Sequence, residues 1–151
     1  MKESTLVIIK PDAVKKQKIG AILSLYEAHG LVLEEAYMCV PELELVEKHY
    51  KAHKDKNFYA ALVRFMTSDR VFVMKLTGEN AVEVVREING ATDPAKARVC
   101  TIRYLYGDSV QLNAVHGSSS LEEAREELTL WFGKEEAEEE QEEQEEQEEV
   151  E

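Results

Sequence analysis

The chain has 151 residues, with 31 acidic and 18 basic side chains and a formal charge of −13. Twelve glutamates and one lysine fall in residues 134–151, a local charge of −11, which leaves 19 acids and 17 bases in residues 1–133, close to neutral at −2. Such a body lacks the basic surplus that general nucleic-acid binding needs, so no specific nucleic acid is expected as a partner. No apolar run approaches the roughly 20 residues of a membrane helix. The apolar stretch near the N-terminus, residues 6–9, is also too short for a signal peptide, so no membrane contact and a cytoplasmic location are expected. Cys39 and Cys100 are far apart, without metal-type spacing, and read as reduced thiols.

Residues 4–9 are β-branched and apolar, which predicts a buried strand ending at Lys10-Pro11. Pro11 cannot continue a central strand but suits the first turn of a helix. Ile19, Ile22, Leu23 and Tyr26 repeat at helical spacing, and His29-Gly30 ends that helix with Gly in a left-handed cap. Residues 31–40 read as a second strand, and Pro41 opens a helix with Leu45, Val46, His49 and Tyr50 on one face. A short helix is expected over 58–66 with Phe58, Leu62 and Phe65 inward, then a strand over 70–76. Asn80 is placed to cap a helix that carries Val82, Val85 and Arg86 to Gly90. Residues 90–109 have no period and read as a long loop, followed by a short strand over 111–115. Ser120 and Glu123 match a capping box ahead of a last helix with Leu121, Ala124, Leu128 and Trp131 inward. The order contains the βαββαβ pattern of an α+β, ferredoxin-like antiparallel sheet with additional helices. Residues 1–133 form one domain in this reading. Residues 134–151 form a Glu/Gln-rich tail with almost nothing to bury, expected to be disordered.

Phosphate-loop, dinucleotide-binding, zinc-protease and nucleophile-elbow motifs are all missing. His49 and His53 are spaced i, i+4, but two ligands do not make a site, so no metal-ligand set is expected. The segment Asn113-Ala-Val-His116-Gly-Ser118 places a histidine at a strand end, before a Ser run that caps a helix. A neutral imidazole is a competent nucleophile, and a phosphoryl group arriving there would meet the N–H groups of a helix N-terminus. Lys10, Arg86 and Arg103 would form a phosphate clamp if the fold brought them together, which spacing alone does not establish.

Thr5-Leu-Val-Ile-Ile-Lys10-Pro11-Asp12-Ala13-Val14 resembles the opening strand and turn of the nucleoside diphosphate kinases. Asn113-Ala-Val-His116-Gly117-Ser118 resembles that family's signature around its phosphorylated histidine. His49-Tyr50, Phe58, Leu62, Thr92-Asp93-Pro94, Thr101-Ile102-Arg103, Glu127 and Leu130-Trp131-Phe132 fall in the same order as similar residues of the family, so the resemblance spans residues 5–132. It implies transfer of the terminal phosphate of ATP or another nucleoside triphosphate to a nucleoside diphosphate, by a ping-pong mechanism through a phosphohistidine on His116. It assigns the catalytic centre to His116 with Lys10, Tyr50, Ser118 and Glu127. Lys10, Phe58, Leu62, Arg86, Thr92, Arg103, Val110 and Asn113 are assigned to the nucleotide. It further implies Mg²⁺ carried mainly by the nucleotide phosphates, and a homo-oligomer, either a hexamer or a tetramer or dimer. A catalytically silent nucleotide-binding module of the same fold is the alternative. The sequence departs from the family pattern at His53, Asn57, Asp69-Arg70, Tyr104-Leu105-Tyr106 and Ser119.

Overall fold

A computed structural model describes residues 1–133 and Val150; the rest of the acidic tail lies outside the described residues. The strands are β1 (Lys2–Ile9), β2 (Val32–Cys39), β3 (Val71–Glu79) and β4 (Val115–Gly117). The helices are α1 (Pro11–Lys15), α2 (Ile19–Ala28), α3 (Leu43–His49), α4 (Tyr59–Met66), α5 (Ala81–Asn89), α6 (Ile102–Tyr106) and α7 (Leu121–Phe132), with single 3₁₀ turns at Lys51–His53 and Pro94–Lys96. The strands form one sheet in the order β2-β3-β1-β4, and every neighbouring pair is antiparallel. This is the α+β, ferredoxin-like arrangement expected, with α3 and α4 inserted between β2 and β3.

The continuous apolar run of β1 follows from its place in the sheet. Leu6, Val7, Ile8 and Ile9 are all fully buried, although successive side chains point to opposite faces. Val7 and Ile9 join a core with Ala13, Ile22, Tyr26, Val85 and Ile102, so α1, α2, α5 and α6 cover one face. Leu6 and Ile8 join a second core with Val46, Val63, Met66, Leu128 and Trp131, so α3, α4 and α7 cover the other. Each such side chain contributes roughly 1.5–3 kcal/mol by leaving water, which makes β1 the spine of the molecule.

Several boundaries differ from the sequence reading. β1 and β3 both run longer, because Lys2 pairs with Glu79 and Glu3 with Gly78 in one ladder whose charged ends hide it from a hydrophobic pattern. The predicted loop at 90–109 contains α6, whose single fully buried residue, Ile102, is too little to show a period. The strand predicted at 111–115 forms instead at Val115–Gly117. Ala114 has φ +74°, a left-handed turn that ends any extension from Gln111. His116 therefore sits mid-strand opposite Ile8 rather than at a strand end. In α4 the buried residues are Val63 and Met66, whereas Phe58 precedes the helix and is half exposed. Asn80 adopts φ +48° and its side chain makes no cap. Glu3 of β1 accepts the Val82 N–H at 3.5 Å instead. Gly30 does take the left-handed conformation, φ +83°. Ser120 caps α7 by accepting the Glu123 N–H at 3.1 Å.

Candidate active site

β4 is the edge strand beside β1, and its central residue His116 opens onto a cleft of about 1720 Å³. The cleft is also lined by Lys10, Tyr50, Phe58, Leu62, Arg86, Thr92, Arg103, Val110 and Asn113. Ten of the twelve residues singled out in the sequence thus share one concavity, although they span positions 10 to 116. The other two, Ser118 and Glu127, stand behind the imidazole rather than in the cleft.

The chain conformation around His116 is held by cross-links between distant segments. The Lys10 N–H donates to Ala114 O at 2.8 Å, and the Ala114 N–H donates to Asp12 Oδ2 at 3.0 Å. These two bonds clamp the left-handed Ala114, a strained conformation for a residue with a Cβ. Gly117 follows His116 because α5 is close: a Cβ there would lie 2.8 Å from Asn89 Nδ2 and 3.0 Å from Val85 Cγ1. Gly90, at the end of α5, has φ +83° and no room for a Cβ against Thr101.

Glu127 orients the imidazole. His116 Nε2 lies 2.8 Å and 3.1 Å from the two Glu127 oxygens, so Nε2 carries the proton and donates it. Among the described residues nothing hydrogen-bonds to Nδ1 of His116, so that nitrogen keeps its lone pair. Burial works to raise the Glu127 pKa, yet the balance is a lowered one, because His116, His49 and a hydrogen bond from Ser118 favour the carboxylate.

Lys10, Arg86 and Arg103 line the same cleft as His116. Lys10 Nζ donates to Asn113 Oδ1 and Gln111 O, both at 2.9 Å. Its pKa is pushed down to about 8, mainly by burial; Asp12 opposes the shift and Arg103 adds to it. Arg103 on α6 donates to Gly90 O at 2.8 Å and Val115 O at 2.9 Å, tying the two cleft walls together, and its buried Nε has no partner. Burial also lowers the Arg103 pKa. Arg86 holds Ser119 O at 3.2 Å, and Asn113 Nδ2 holds Thr92 O at 3.1 Å. Tyr50 is buried, and its pKa is raised by burial and by Glu127. At the outer end, Phe58 exposes an aromatic face, with the His53 ring centroid 5.6 Å away and Lys56 Nζ 5.6 Å from its centre.

Other expectations are corrected. Two N–H groups at the start of α7 are already taken, Ser119 N by Glu123 Oε2 at 3.3 Å and Glu123 N by Ser120 Oγ at 3.1 Å. That helix end is therefore a weaker anion receiver than its position in sequence suggests. His49 and His53 do not act as a pair: the His49 side chain is buried beside His116 and Glu127, whereas His53 lines the outer cleft. Asp12, His49 and Trp131 read as ordinary packing or surface charge until the fold sets Asp12 against Ala114, His49 against His116 and Trp131 against His49.

Comparison with known proteins gives the family. Residues 3–137 fit the sequence profile of the nucleoside diphosphate kinases. A nucleoside diphosphate kinase of Caldanaerobacter subterraneus is 51% identical over 130 residues, covering 86% of this chain and 94% of the relative. One from a Thermoanaerobacter species is 49% identical over 130 residues, covering 86% and 96%. The crystal structure of the Encephalitozoon cuniculi enzyme superposes with a TM-score of 0.85 at 38% identity, covering 87% of this chain and 89% of that one. The chain belongs to the nucleoside diphosphate kinase family and is a phosphotransferase acting between nucleoside tri- and diphosphates.

Proposed function

We propose that His116 is the nucleophile and that its Nδ1 carries the phosphate between two half-reactions. The observation that supports this most is the Nε2–Glu127 hydrogen bond, which fixes the tautomer with the lone pair on Nδ1. Nδ1 attacks the terminal phosphorus of a nucleoside triphosphate, the bond to the bridging oxygen breaks, and the diphosphate leaves. Charge that builds on the imidazole is stabilised by Glu127. A second diphosphate then binds, and its terminal oxygen attacks the phosphohistidine and restores His116. The two steps share one site, as ping-pong transfer requires.

Phosphoryl transfer asks mostly for positioning and neutralisation of charge. Lys10, Arg86 and Arg103 supply cations to the cleft, and Thr92, Asn113 and Tyr50 supply neutral donors. Phe58, Leu62 and Val110 offer an apolar face for the base, and stacking accepts any base. Among the described residues the one three-donor cluster is His49, His116 and Glu127, two nitrogens and a carboxylate, with His116 already hydrogen-bonded to Glu127. Such a set does not suit Mg²⁺, which takes oxygen ligands in an octahedron. The ion is accordingly assigned to the nucleotide, where it neutralises phosphate charge. The cytoplasmic location and the homo-oligomer remain part of this reading, and residues 134–151 are assigned to a segment separate from the catalytic body.

Incubation with γ-labelled ATP and Mg²⁺ tests the proposal. It should give an acid-labile, base-stable phosphoprotein that discharges onto added GDP. Equal labelling of His116→Ala, or no label on the wild type, would contradict it.

A further inference from the structure

The buried histidine beside the nucleophile has no role in the chemistry above, yet its contacts are specific. His49 ends α3, and its side chain is 1% exposed. Its ring lies 4.5 Å from the His116 ring, nearly perpendicular to it. Its Nδ1 is 3.4 Å from Glu127 Oε2, the same oxygen that accepts the His116 N–H at 2.8 Å. Two imidazoles therefore stand around one carboxylate oxygen, and a proton donated to it by His49 would compete with the His116 N–H.

Trp131 decides which. The chain's single tryptophan sits one turn after Glu127 on α7, and its indole N–H lies 2.9 Å from His49 Nδ1. An indole nitrogen can only donate, so His49 Nδ1 must accept. A neutral imidazole that accepts at Nδ1 has its proton on Nε2 and none to offer Glu127. We propose that Trp131 and His49 form a tautomer lock that reserves the Glu127 carboxylate for His116; the proposal rests on the reading of His116 as the nucleophile. Both are positioning residues, acting through Glu127.

The surroundings keep His49 neutral. The groups around it are Glu127, His116, Lys10, His53, Tyr50 and Trp131. Its pKa is pushed down to about 3, chiefly by burial, then by His116, Lys10 and His53, with only Glu127 opposing. A charged His49 would carry a proton on both nitrogens and would claim Glu127, so a site with these neighbours cannot tolerate it. The lock holds across the neutral range and leaves the His116 tautomer as the only one that Glu127 selects.

Trp131→Phe removes the donor and keeps most of the ring. His49 is then free to move its proton to Nδ1 and bond Glu127 in competition with His116. The rate of His116 phosphorylation, measured by rapid quench, should fall about tenfold, the equivalent of one hydrogen bond. The double variant Trp131→Phe/His49→Phe removes the competitor as well, and replacing both partners by apolar groups is close to neutral for the fold. Its rate should return to within about threefold of the wild type. A merely structural role predicts the opposite, with the double variant as slow as the single or slower. Long-range ¹H–¹⁵N spectra of the histidine side chains give an arm independent of activity: His49 of the full wild-type chain should show the Nε2–H tautomer at pH 7 and shift toward Nδ1–H in Trp131→Phe. A wild-type His49 protonated at Nδ1 overturns the proposal, as does a Trp131→Phe rate equal to wild type or a double variant that does not recover. If the wild type itself takes no phosphate, the reading of His116 fails, and the spectra still decide the lock.

Discussion

A lysine placed at a strand end in sequence looks free to reach solvent, but Lys10 is buried between Asn113 and the Phe65 ring, whose centre is 5.5 Å from Nζ. Its pKa of about 8 has two opposite consequences. Between about 8 and the ordinary lysine value of 10.5, the folded chain holds fewer protons than the unfolded one, so the stability of the free protein gains from Lys10 as pH rises through that window. Bound phosphates favour the charged amine, so nucleotide affinity falls over the same window. Calorimetric titration with a nucleoside diphosphate should show weakening binding and growing proton uptake from pH 8 upward, and Lys10→Met should flatten that trend. Glu127 calls for a different readout. Glu127→Ala should slow His116 phosphorylation about tenfold or more while changing nucleotide affinity little, because the carboxylate touches the imidazole and not the cleft. Equal losses in both quantities would place Glu127 in binding instead.

At the scale of elements, the site depends on how β4 is seated. α5 holds its inner side, and Gly117 is the point of closest approach. Gly117→Ala should overpack that contact and destabilise the fold by about 1–3 kcal/mol, measured by denaturant unfolding, and should slow phosphorylation by displacing His116. A variant of unchanged stability would show that α5 does not fix β4. β1 and β3 were legible from their buried apolar runs, and α2, α5 and α7 because each turns a repeating set of buried residues to the core. α6 was not legible, since five residues with one buried isoleucine carry no period. β4 was misplaced because its start is set by the left-handed Ala114, held by Asp12 and Lys10 about a hundred positions away. The residues of the cleft were legible as a family pattern, whereas their convergence, and the part played by His49 and Trp131, required the fold.

For the whole molecule, the sheet separates two cores, and the cleft opens where β1 and β4 meet helices from both sides. The charge of −13 describes the chain poorly, because a near-neutral body gathers Lys10, Arg86 and Arg103 into one cleft while residues 134–151 carry −11 of the net charge. Removing residues 134–151 should leave turnover within about twofold, since every residue assigned to the site falls between Lys10 and Glu127. A large loss on truncation would show that the tail belongs to the catalytic unit.

The central claim concerns one nitrogen. With Nε2 of His116 hydrogen-bonded to Glu127, the nitrogen proposed to carry the phosphate is Nδ1. Phosphorus-31 and proton–phosphorus correlation spectra of the alkaline-stabilised phosphoprotein distinguish the two isomers directly. A single signal from Nδ1-phosphohistidine at position 116 is the expected result. Phosphate on Nε2, or on any residue other than His116, would contradict the account.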